Sequence, residues 1–127
     1  TVCDGLKFNE DLGLFDKVVC DAPCSGIGVI RRKPEIKYKS NEECLSLTEI
    51  QYNILNNAAR YVKPGGRLIY STCTLLKREN EGVVDRFLKA NTNFKPVSVF
   101  DSGESCVTFM PPQDAGDGFF IAAMERV

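Results

Sequence analysis

Residues 14–20, LFDKVVC, form an apolar, β-branched run of strand length, and the pattern predicts a buried β-strand there. Asp21-Ala-Pro-Cys-Ser-Gly follows as a loop, because Pro23 holds Ala22 extended and withholds a ladder donor. The polar stretch 30–43, with Pro34 inside it, reads as a loop with little regular structure. The periodicity then changes. Ile50, Ile54, Leu55, Ala58, Ala59 and Val62 recur at spacings of three and four, which predicts a helix with one buried stripe. Ser46 or Thr48 can cap its start, and Pro64-Gly65-Gly66 stops it. A second strand is predicted over 67–72, RLIYST, and a second helix from Glu79 or Asn80 with Val83, Val84, Phe87 and Leu88 turned inward. Strands over 94–100 and 118–124 close the chain, and 101–117, with Pro111-Pro112 and two glycines, is its most loop-like stretch.

Strands linked by helices lie parallel, whereas the last two strands have no helix between them and are expected to run antiparallel. The pattern therefore predicts an α/β fold, a doubly wound Rossmann-like sheet of parallel strands with a reversed edge strand. With 127 residues the chain is one domain in size. No apolar run approaches the ~18 residues of a membrane span. The sequence opens on Thr1-Val2-Cys3-Asp4, without an initiator Met or a leader-like segment, and reads as the interior of a larger protein. A net charge of −1 provides no global basic field, so any contact with nucleic acid must come from a local patch.

Six cysteines require an account. The regular α/β pattern and the lack of a secretory signal argue against a disulfide scaffold, and the absence of His and of any C-x-x-C pair argues against a metal. Cys3, Cys20, Cys44 and Cys106 are expected to be buried small hydrophobes. Cys24 and Cys73 differ, because each lies just past the carboxyl end of a predicted strand, the rim at which open α/β sheets bind ligands. If those strands are neighbours ~4.8 Å apart, both thiols can reach one small planar substrate.

The segments DAPCSGIG and YSTCTLLKRENE resemble motifs IV and VI of the Sun (Nop2-type) family of RNA cytosine-5 methyltransferases, and RRKPEIKYK, KPGG and DGFF extend the likeness over nearly the whole chain. The bacterial branch acting on 16S ribosomal RNA is the most similar. The resemblance implies that Cys73 adds to C6 of cytosine, that Asp21 stabilises the activated base, and that Cys24 assists release of the product. S-adenosylmethionine is then the cofactor, with Asp4 and Asp21 as candidate contacts. A family sheet ordered 3-2-1-4-5-7-6 would make residues 1–127 its carboxyl-terminal part, lacking the glycine-rich donor loop, and leave the predicted strand at Lys17–Cys20 as an exposed edge through which copies could self-associate. Glu79-Asn80-Glu81 resembles the helix start after motif VI, for which capping suffices.

Arg31, Arg32, Lys33 and Lys37 with Tyr38 follow Cys24, and could contact phosphates and stack a base. The expected partner is RNA, ribosomal by the resemblance, in the cytoplasm, with no membrane and no metal involved. Three rivals remain open on the residues alone. In a DNA cytosine-5 methyltransferase Cys24 would be the nucleophile; a noncatalytic RNA-binding or assembly module would keep only the sheet; and a thiol redox module would join Cys24 to Cys73.

Overall fold

A computed structural model of the chain describes residues 5–24, 41–99, 102–109 and 118–127, with 41–46 described in backbone alone. After a short 3₁₀ turn at Glu10–Leu12 come β1 (Phe15–Asp21), α1 (Asn41–Ala59), β2 (Val62–Thr72), α2 (Glu81–Ala90), β3 (Phe94–Pro96), β4 (Cys106–Phe109) and β5 (Phe119–Arg126). The sheet order is β1-β2-β5-β3, with β4 also paired to β5. β1 and β2 are parallel, and β5 runs antiparallel to β2, β3 and β4. Every strand but β5 thus points the same way, as the two helical crossovers require. The reversed strand is not at the edge. It lies between β2 and β3, in the position the 4-5-7-6 part of the family order gives it.

Both helices cover the same face. Leu55 and Ala59 of α1 and Val83, Val84 and Phe87 of α2 share one buried cluster with Leu68, Tyr70, Phe120, Ala122 and Met124 of the sheet. On the other face Val19, Ile69 and Ala123 line up across β1, β2 and β5, and no described helix covers them. Val19 is 68% exposed there. A doubly wound sheet buries both faces of its parallel strands, which explains why LFDKVVC is apolar on both sides. The described helices cover only one, and the second face is open at its β1 end, where Val19 lies, while Ala123 of β5 is buried.

Three boundaries differ from those the pattern predicts. Helix α1 begins at Asn41, so 41–43 are helical and neither Ser46 nor Thr48 is its cap. It ends at Ala59, and Val62 belongs to β2, where it pairs with Phe15. Between that pair and Lys17↔Arg67 the register shifts, and Pro64-Gly65-Gly66 is the resulting bulge rather than the helix stop. Gly65 has φ +81°, and a Cβ on Gly66 would lie 2.8 Å from the Lys63 carbonyl oxygen and 2.9 Å from that of Asp16.

The predicted strand 94–100 is cut short at Pro96, which cannot donate to the ladder. The chain turns through Ser102-Gly103 (φ +78°), with the Gly103 N–H donating to Ser98 Oγ, and returns as β4 inside the stretch expected to be loop. β3 and β4 thereby pair with successive halves of β5. Cys20 is buried as expected; Cys106 is only half-buried, although it packs against the core. Cys3 and the side chain of Cys44 lie outside the described residues. No helix among the described residues is long and apolar enough to cross a membrane.

Candidate active site

The ladder between β1 and β2 carries the site. Asp21 is opposite Ser71, so the two chains leave the sheet at the same level and side by side. The last bond of the ladder runs from the Ala22 N–H to the Ser71 carbonyl oxygen, 3.0 Å. Beyond it Pro23 turns β1 into the loop bearing Cys24, and Thr72 leads β2 into Cys73. The two sulfurs lie 2.7 Å apart, in hydrogen-bonding contact with either as donor, and both residues are half-buried free thiols. The separation that strand spacing allows is thus realised for the pair that sequence singled out.

Burial pushes the Cys73 thiol up to about 12; the hydrogen bond with Cys24 and the negative charges of Cys24 and Asp21 add to it, against a lowering backbone contact. In this geometry Cys73 keeps its proton at neutral pH. A reacting group must therefore open the thiol contact or take the proton before sulfur can attack. Asp21 is exposed, and its Oδ1 accepts a 3.0 Å hydrogen bond from Ser71 Oγ. That bond fixes the carboxyl at the rim, on the same side of the ladder end as the thiols it influences.

Beneath the Cys73 loop is a buried polar network. Glu79 and Asn80 are fully or almost fully buried, as are Gln51, Thr72 and Thr74. Gln51 Nε2 donates to the Pro23 carbonyl oxygen (2.8 Å) and to Glu79 Oε1 (2.9 Å). Thr74 Oγ1 donates to Glu79 Oε2 (3.3 Å), and Tyr70 OH to the Glu79 carbonyl oxygen (2.6 Å). Asn80 Nδ2 donates to the Thr74 carbonyl oxygen (2.9 Å), while its Oδ1 accepts from Thr72 Oγ1 (2.5 Å).

Capping was the sequence account of this segment, and the geometry corrects it. Asn80 occupies the N-cap position of α2 without a side-chain cap bond, because its amide is spent on the Cys73 loop. Sequence reasoning also passed over Gln51, since a stripe of apolar residues at helical spacing draws attention away from a polar member. The visible signal was a run of polar residues, Thr72, Thr74, Glu79 and Asn80, around a strand end that must be buried.

A second missed feature is the stacked pair Phe109 and Phe119, with ring centroids 4.7 Å apart and planes 15° from parallel. Each is more than a third exposed. Because Thr72 pairs with Phe120, the pair lies toward the same rim as Cys73 and offers a flat apolar surface on which a base could stack.

Asp4 and the run Arg31, Arg32, Lys33, Lys37 and Tyr38 lie outside the described residues. Along the open side of β1 a cavity of about 280 Å³ is lined by Gly5, Val18, Val19, Asp21, Ile54 and Asn57 among others. Among the described residues no group of three or more His, Cys, Asp or Glu is placed to hold a metal ion.

Residues 1–125 match the family model described as 16S rRNA methyltransferase RsmB/F. The chain is 39% identical over 123 residues to a probable ribosomal RNA small subunit methyltransferase B of Bacillus subtilis, covering 88% of this chain and 28% of that protein. Among solved structures, PH0851 superposes with a TM-score of 0.89 at 34% identity, over 99% of this chain and 30% of that one. NSun6 from Pyrococcus horikoshii with SFG gives 0.81 at 27% identity, over 100% and 34%. The chain thus spans only about a third of the length of the curated relative and of either structure.

Proposed function

The chain belongs to the RsmB/F family of 16S rRNA methyltransferases, and from that premise we propose that it is the carboxyl-terminal part of a domain that methylates C5 of cytosine in RNA. The observation that carries the reading is the Cys24–Cys73 contact at the ends of two adjacent parallel strands.

Cytosine C5 is too weak a nucleophile to accept a methyl group directly. Sulfur of Cys73, once deprotonated, adds to C6; the S–C6 bond forms and the C5=C6 electrons shift toward N3, leaving C5 enamine-like. Negative charge developing toward N3 calls for a hydrogen-bond donor there, a part that the Asp21 carboxyl, at the rim beside Cys73, plays when it carries a proton or is bridged to the N4 amine. After methylation C5 bears both the methyl group and its original proton. A base removes that proton, C5=C6 re-forms and the S–C6 bond breaks, returning Cys73 as thiolate. Cys24, within hydrogen-bonding contact of Cys73, assists this elimination.

S-adenosylmethionine supplies an electrophilic methyl group when bound. The described residues fit one wall of its site: the exposed Asp21 carboxyl stands over the cavity that opens along the unpaired side of β1. The Val19 face and the β1 edge, which no described helix covers and no described strand pairs, fit a Rossmann-like sheet that continues beside this strand. On this reading residues 1–127 carry the base chemistry, the remaining donor contacts lie upstream in the same domain, and RNA, ribosomal by its relatives, is the partner in the cytoplasm.

The test is a covalent trap. RNA containing 5-fluorocytosine is incubated with S-adenosylmethionine and the protein extended by its upstream sequence, and the adduct is read on a denaturing gel. Cys73→Ala is expected to abolish the adduct and Cys24→Ala to retain it. Loss of the adduct in Cys24→Ala alone would instead identify Cys24 as the nucleophile, the arrangement of a DNA cytosine-5 methyltransferase.

A further inference from the structure

Gln51 lies on α1, within the stripe that packs on the sheet, and is completely buried. Its amide nitrogen donates to two acceptors that belong to different loops. One is the carbonyl oxygen of Pro23, the residue before Cys24; the other is Oε1 of Glu79. Glu79 Oε2 in turn accepts from the hydroxyl of Thr74, the residue after Cys73. A single NH₂ group therefore ties the Cys24 loop to the Cys73 loop through a rigid helix.

The two acceptors also fix the orientation of the amide, since turning it over would aim Gln51 Oε1 at two oxygens. In the observed orientation Gln51 Oε1 is buried with no hydrogen-bond partner among the described residues. The large majority of buried side-chain acceptors are paired, so an unpaired one calls for an explanation. The arrangement favours what the nitrogen holds together.

We propose that Gln51, acting through Glu79 and Thr74, is a positioning residue that clamps the two cysteine loops and sets the distance at which Cys24 and Cys73 share a proton. The assignment of a role to that distance rests on the reading of the two thiols as the reacting pair. The clamp holds the Sγ atoms at 2.7 Å, close enough for one thiol to suppress ionisation of the other. Releasing it separates the loops, breaks the contact and frees Cys73 to ionise at lower pH.

The test uses the protein extended by its upstream sequence and needs neither donor nor RNA. Alkylation of each cysteine by iodoacetamide is followed by peptide mass spectrometry from pH 7 to 11, alongside thermal melting. In Gln51→Met, which keeps length and burial but removes both donors, Cys73 is expected to react about tenfold faster at pH 8, the change that a shift of one pKa unit produces. Thr74→Val, which leaves Gln51 in place and removes the far end of the clamp, should move Cys73 in the same direction, and decides the question if Gln51→Met does not fold. Glu79→Gln retains an acceptor for Gln51 and should keep the wild-type profile to within about twofold.

A folded Gln51→Met or Thr74→Val protein with an unchanged Cys73 profile overturns the proposal. So does an equal acceleration of all the cysteines, which would mark general loosening. Failure of the fluorocytosine trap with these profiles as expected would sink the catalytic reading and leave the clamp standing.

Discussion

The Sγ atoms of Cys24 and Cys73 are 2.7 Å apart although 49 residues separate them in the chain. Cys24 is part of the environment that keeps Cys73 protonated. For Cys73 burial is the largest influence, followed by the hydrogen bond and the charge of Cys24. Cys24→Ala removes the second and third of these and leaves the first. The alkylation profile of Cys73 should therefore move to lower pH without reaching that of a free thiol. A profile that stays at its wild-type position would show that Cys24 does not influence Cys73.

Alkali should unfold the protein through groups buried in their neutral form. Burial, with the charge of Asp21 adding to it, raises the Cys20 thiol to about 12, and burial also pushes the Tyr70 phenol well above its ordinary range. A thiol with a raised folded value contributes stability that is complete below the unfolded value of about 8.5 and is lost as pH rises toward the folded one. The melting temperature is expected to fall between about pH 9 and 11, and less steeply in Cys20→Ala, whose melting curve starts lower because of the lost packing. Parallel pH slopes for the two proteins would exclude Cys20 as a contributor.

Gly65 and Gly66 should respond differently to alanine. At Gly66 the new Cβ would meet two backbone carbonyl oxygens inside 3.0 Å, and neither strand can move away without breaking its ladder. Gly66→Ala is expected to cost about 1–3 kcal/mol, the range for overpacking. At Gly65 there is no atom within 4 Å, and only the positive φ opposes the change, so Gly65→Ala should cost about 1–2 kcal/mol. Denaturant melts of the two variants test the ranking; a Gly66→Ala protein as stable as wild type would contradict the close approach.

Among the described residues one edge of β1 has no partner strand, which predicts self-association of the isolated chain. Phe15 and Val19 are exposed along it, and no described strand pairs with that side of its backbone. Val19→Lys places a charge on that strand, a device by which edge strands avoid pairing. Sedimentation should show concentration-dependent association for the wild-type chain and a monomer for Val19→Lys. A wild-type monomer at about 100 µM, against the µM–mM range in which exposed edges associate, would count against it.

Much of this protein was legible from its sequence. The apolar run before Asp21 and the one before Cys73 marked two strands, and their helical crossover made them parallel, because a crossover that packs back on a sheet leaves little choice. The cysteines at both strand ends were conspicuous for their local sequence. The place of β5 inside the sheet was fixed by the family order and not by the pattern of residues. A short strand such as β4, half-exposed and bordered by serines and prolines, carries too little periodicity to stand out from a turn.

What sequence alone determined is the chemistry at the rim: a thiol past each of two strands, and a carboxyl at the end of the first. Tertiary structure decided how those groups are held. Gln51 lies 27 residues from Cys24 and 22 from Cys73 in the chain, and its amide reaches both loops only because α1 crosses beneath them. Side-chain identity is local, so motifs record which atoms can react. Hydrogen-bond partnership depends on three-dimensional approach, and a buried glutamine in an apolar stripe gives no sign of its two acceptors until the helix is docked.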